Sequence, residues 1–107
     1  MYKLTKSTNK KKKWMMILPD RKKIHFGQKG ASDYTLHKDI RRKELYIVRH
    51  NNEGERGYWK HTKTNLYRPS YLSRYILWHK PSMKEAIEFI EKKQNIKINY
   101  SETYKQV

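Results

Sequence analysis

Trp14-Met15-Met16-Ile17-Leu18-Pro19-Asp20-Arg21-Lys22-Lys23-Ile24-His25-Phe26-Gly27 is the stretch that sets the fold class. An apolar run leads into Pro19-Asp20. Proline presets φ for a turn, and aspartate bonds its own backbone two residues on. Beyond the turn, Ile24 and Phe26 alternate with Lys23 and His25. Two short apolar runs about such a turn predict a β-hairpin with one covered face.

Helical signals follow the hairpin. Gly27-Gln28-Lys29-Gly30 reads as a loop whose glycines permit positive φ. Ser32-Asp33-Tyr34-Thr35 offers caps for one turn of helix. Asp39 is the better N-cap, opening a helix from Ile40 to about His50, with Ile40, Lys43/Glu44, Ile47 and Val48 on one face. Asn51, Asn52 and Gly54 end it. Residues 51–69 are rich in Asn and Gly and read as a long connection. Pro69-Ser70 opens a short buried helix over Tyr71–Trp78, which Pro81 stops. Ser82-Met83-Lys84-Glu85 is a capping box. The helix after it carries Met83, Ala86, Ile87, Phe89 and Ile90 at helical spacing. Its lysines (84, 92, 93) balance its glutamates (85, 88, 91), as suits a structural strut. Ile96 and Ile98 alternate with Lys97 and Asn99 and offer the hairpin a third strand. The expected architecture is a single small α+β domain over 14–99, an N-terminal hairpin packed by two or three helices. Residues 1–13 are expected to form a mobile basic arm, and 100–107 a loose tail. Deleting 1–12 should then weaken polyanion binding and leave the fold intact.

Charge dominates the function reading. The 107 residues hold 26 Lys and Arg against 10 Asp and Glu, a net charge of +16. Self-repulsion on that scale opposes compaction, which points to a polyanionic partner. Residues 1–30 alone hold ten Lys and Arg and one Asp. The candidate phosphate-binding residues are Lys10, Lys11, Lys12 and Lys13, Arg21, Lys22 and Lys23 at the hairpin turn, Lys29 in the glycine loop, Lys38, Arg41, Arg42 and Arg49 around the first long helix, and Lys60. Arginine forks grip phosphate in two-point fashion. Aromatics make up 13%, with nine Tyr and three Trp. Most of these rings belong in the core, Trp78 and Tyr75 above all. Tyr58-Trp59-Lys60-His61 is the candidate exposed stacking segment.

Enzymatic readings fare poorly. There are no cysteines, which removes disulfides, thiolate metal sites and cysteine nucleophiles. His25, His37, His50, His61 and His79 include no i, i+4 pair for zinc. Asp33, His37, Asp39 and His50 would have to converge in space to hold a metal. Ser32-Asp33-Tyr34-Thr35 with His37 lacks a nucleophile elbow, and the glycine loop lacks the Gly-Lys-Ser/Thr end of a phosphate loop. No catalytic residue, metal or cofactor is expected. The longest apolar run, Trp14 to Leu18, is too short for a signal peptide or a membrane span. The protein is therefore expected not to be secreted.

Two blocks carry a family resemblance. One is Lys23-Ile24-His25-Phe26-Gly27 with Gly30-Ala31-Ser32-Asp33-Tyr34-Thr35-Leu36-His37-Lys38-Asp39, Arg42-Lys43, Tyr46 and Arg49-His50. The other is Leu72-Ser73-Arg74-Tyr75-Ile76-Leu77-Trp78 with Lys80-Pro81-Ser82. Over residues 14–93 the chain is similar to a family of short basic proteins of unknown function encoded by giant nucleocytoplasmic DNA viruses. The resemblance implies a setting, the virion or the viral factory in the host cytoplasm, and transfers no catalytic role. The expected function is sequence-independent nucleic-acid binding, to DNA rather than RNA, in genome packaging. The alternative is a minor capsid protein that bridges acidic viral structural subunits.

Overall fold

The computed structural model describes residues 1–102 and confirms an α+β domain. Its sheet has four strands, β1 (Tyr2–Lys6), β2 (Lys12–Ile17), β3 (Lys23–Gln28) and β4 (Ile98–Tyr100), in the order β3-β2-β1-β4. The helices are α1 (Tyr34–His37), α2 (Ile40–Arg49), α3 (Asn51–Glu55), α4 (Pro69–Leu72) and α5 (Met83–Gln94). A 3₁₀ turn covers Thr64–Tyr67, and a π-helical turn, Ser73–Leu77, continues α4.

The expected hairpin is present, with Trp14 opposite Phe26 and Met16 opposite Ile24. Strand alternation sends those four side chains, with Leu4, to one face. There they meet Leu72, Ile76, Leu77, Ile87 and Ile90 from the helical layer. Met15 points to the other face and is nonetheless fully buried, capped by the Thr8 hydroxyl at 3.8 Å.

The arm expected over 1–13 is instead part of the sheet. Residues 2–6 form β1, antiparallel to β2 and parallel to β4, and Leu4 is completely buried. The strand escaped notice because its single aliphatic residue sits among lysines. What makes it a strand is the partner on each side, which supplies the ladder bonds for an otherwise polar segment. The third strand offered at Ile96–Ile98 does form, two residues later, but it joins β1 rather than the hairpin. Tyr100, assigned to the tail, belongs to β4 and lies 5.8 Å from the Trp14 ring. Residues 103–107 of that tail lie outside the described residues.

Asp39 caps α2 as expected, accepting from the amides of Arg41 at 2.9 Å and Arg42 at 3.3 Å. The covered face differs from expectation. No residue of α2 is fully buried. Lys43, Tyr46 and Ile47 face inward and are half-buried, whereas Ile40, Leu45 and Val48 are exposed. The helix therefore packs by Lys43, Tyr46 and Ile47, so Lys43 and Ile47 of the expected face turn inward while Ile40 and Val48 do not.

The long connection is also more structured than its composition suggests. Helix α3 occupies Asn51–Glu55, and Gly54 lies against Trp59, where an added Cβ would come within 2.7 Å of the indole. Asn65 is buried and donates to the carbonyls of Gly57 (2.9 Å) and Lys60 (2.8 Å). Buried loop backbone needs such partners. Ser82 accepts from the Glu85 amide at 3.2 Å and starts α5. Gly27 is the glycine the fold requires: its φ is +77°, and a Cβ there would meet Leu77 Cδ1 at 2.8 Å. It lets β3 pass close under the π turn.

Candidate polyanion-binding groove

Two clefts open on either side of Lys12-Lys13 and Ala31–Asp33. The first has a volume of about 780 Å³ and lies between the sheet, α2 and the start of α4; Lys12, Lys13, Gly27, Ser32, Arg42, Arg49, His50, Glu53, Ser70 and Ser73 are among the residues that line it. The second, about 750 Å³, continues past Lys6, Lys29, Gly30, Thr35, Lys38, Ser82 and Tyr100. Joined at Lys12-Lys13, they form one groove bordered by Lys6, Lys12, Lys13, Lys29, Lys38, Arg42 and Arg49. Three carboxylates oppose these cations, Asp33, Glu53 and Glu102.

Asp33 shapes this groove without lending it negative charge. Its carboxylate accepts from Lys13 Nζ at 2.6 Å and from the Thr35 amide at 3.0 Å and the Thr35 hydroxyl. Both members of the ion pair are largely shielded from water. Buried charges of this kind persist only when paired and fully hydrogen-bonded. Lys13 is thus engaged by the fold, holding β2 to α1. Lys38 is partly engaged too. It takes the left-handed conformation at the end of α1 (φ +55°), and its ammonium donates to the carbonyls of Thr35 (2.9 Å) and Pro81 (2.7 Å).

Of the thirteen candidate residues, the groove gathers Lys12, Lys13, Lys29, Lys38, Arg42 and Arg49. Lys29 is drawn in by the hydrogen bond its backbone N–H donates to the Lys11 carbonyl at 3.0 Å. Lys10 and Lys11 occupy the β1–β2 turn beside the groove but line neither cleft. Arg41 is exposed on another face of α2. Arg21, Lys22 and Lys23 sit at the β2–β3 turn, the opposite end of strands about 20 Å long. Lys22 rests 5.6 Å from the Tyr67 ring. Lys60 lies in the loop after α3, its amide donating to the Gly57 carbonyl at 3.3 Å.

The stacking segment expected at 58–61 is covered by the protein's own cations. Arg68 lies 3.9 Å from the Tyr58 ring centre, and Arg74 lies 5.3 Å from that of Trp59. His61 bonds the Tyr71 hydroxyl at 2.8 Å. Asp33, His37, Asp39 and His50 do not converge. Asp39 and His50 cap opposite ends of α2, about 15 Å apart for ten residues. Among the described residues no group of three His, Asp or Glu side chains is arranged to hold a metal ion.

Sequence reasoning missed Lys6, Ser70, Ser73 and a half-buried basic cluster behind α2. There Lys43 Nζ donates to the His79 carbonyl at 2.8 Å, and Arg74 lies 3.5 Å from His79 Nδ1. Burial, with Arg74, Lys43, Lys80 and His61 nearby, pushes the His79 imidazole down to about 4. Burial likewise lowers Lys43 and Arg74 and raises the Tyr46 phenol to about 12. An arginine inside the apolar run 71–78 was the one available signal for this cluster.

Residues 2–50 match a family of unknown function, DUF5754. No curated protein and no solved structure matches the chain. Among the described residues, no helix is long and apolar enough to cross a membrane.

Proposed function

We propose that this protein binds nucleic acid, DNA above all, through its phosphate backbone and without sequence preference, in the groove centred on Lys12. The observation that supports this reading is the convergence of cations from five separate segments on one groove. Helix α5, by contrast, keeps its lysines and glutamates in balance. Lys and Arg are the main polar groups along the groove and Gln28 is the one amide side chain among the described lining residues, so phosphate contact would position the chain without reading sequence. The resemblance to giant-virus proteins favours genome packaging in the virion as the setting.

Titration of binding against salt tests the proposal. If Lys6, Lys12, Lys29, Lys38, Arg42 and Arg49 each neutralise a phosphate, log K should fall with log salt at a slope near −5 on duplex and near −4 on single strands. A slope between 0 and −1, or no binding at low salt, would count against it. A second reading, a structural protein that bridges acidic partners, is favoured by one feature. Leu36, Ile40 and Val48 are exposed at 65%, 61% and 72%, a composition suited to a protein contact beside the basic groove.

A further inference from the structure

Three rings that line the first cleft stack in series. Trp78 and Tyr46 lie 4.4 Å apart and nearly parallel, at 5°. Tyr46 and His50 follow at 4.2 Å and 27°. His50 Nδ1 lies 3.0 Å from the Tyr46 carbonyl, one helical turn back, so this nitrogen carries the proton and the bond fixes the ring. His50 is exposed and lines the first cleft with Lys12, Arg42 and Arg49. One face of its imidazole lies on Tyr46, and the exposure of the residue gives the other access to solvent.

From this we infer that the groove is built for single-stranded nucleic acid, with one unpaired base stacking on the outer face of His50. The inference rests on the polyanion reading above and specifies its ligand. A duplex keeps its base faces inside and offers only edges and phosphates. An unpaired base offers a π-face, which any base can supply, so the contact is blind to sequence. Lys12, Arg42 and Arg49, which line the same cleft, would hold the phosphates that flank that base. The ring series gives His50 a rigid backing, so ordering it on binding costs little side-chain entropy.

Fluorescence anisotropy of the full chain with labelled dT12, a 12-base-pair duplex and an abasic 12-mer tests the inference. His50→Ala should weaken dT12 binding about fivefold, the low end for loss of one stacked base, and weaken duplex and abasic binding distinctly less. His50→Phe keeps a flat ring and should restore dT12 affinity. Equal loss on all three probes, or no loss on dT12, would overturn the stacking role while leaving the groove reading intact. If wild type binds none of the probes, the groove reading fails, and this inference with it. His50 is exposed, so its variants should fold, which circular dichroism would verify.

Discussion

Lys12 and Lys13 are neighbours of identical type with different work to do. Lys12 borders both clefts and is exposed, whereas Lys13 pairs with buried Asp33. A run of four lysines gives no sign of this, because the distinction comes from a carboxylate twenty residues away. The histidines show the same limit. Spacing argued against a metal site but could not place His79 in a basic, half-dry pocket. With an unfolded value of 6.5 and a folded value of about 4, His79 binds a proton first in the unfolded chain. Its contribution to stability is therefore complete above pH 6.5 and is lost as pH falls from 6.5 toward 4. His37 and His61 are also lowered, chiefly by burial, and act in the same direction. Thermal melts between pH 7 and pH 4 should show a falling midpoint, and His79→Gln should flatten that fall. A midpoint that rises on acidification would contradict the placement of His79.

At the scale of elements, legibility followed periodicity. The hairpin was legible because Ile24 and Phe26 alternate with polar residues about a Pro-Asp turn. Helix α5 was legible because its cap and apolar spacing agree. Strand β1 was not, since Tyr2 and Leu4 are its only apolar residues and its partner strand β4 lies more than ninety positions away. The face of α2 was misjudged because aliphatic spacing outweighed Tyr46, whose stacking on Trp78 decides which side packs. The corrected place of β1 reverses one expectation. Because β1 lies between β2 and β4, deleting residues 1–12 should unfold the domain rather than free it of an arm. Leu4→Ala, a milder probe, should cost about 2–5 kcal/mol for a fully buried leucine. Denaturant titration would measure it, and a loss below 0.5 kcal/mol would mean that β1 adds little to the fold.

For the whole molecule, the net charge was legible at once and the groove was not. Charge density toward the N-terminus drew attention to both ends of the hairpin, yet strand length keeps Arg21 and Lys22 well away from Lys12. Only the packing of α2 on Trp78 and on the His79 carbonyl brings Arg42 and Arg49 to the cleft that Lys12 borders, joining segments some thirty residues apart. If the proposed groove is the site, position in it, and not net charge, governs binding. Two triple variants with the same change in net charge separate these ideas: Lys12→Glu/Arg42→Glu/Arg49→Glu in the groove, and Arg21→Glu/Lys22→Glu/Lys60→Glu outside it. The decisive measurement is the affinity of each for one DNA strand across a salt series, by anisotropy, after circular dichroism has shown both to be folded. The groove variant should lose at least about 100-fold, with its salt slope flattened by about two to three units, while the outer variant should lose only a few-fold through long-range attraction. Equal losses in the two variants would contradict it.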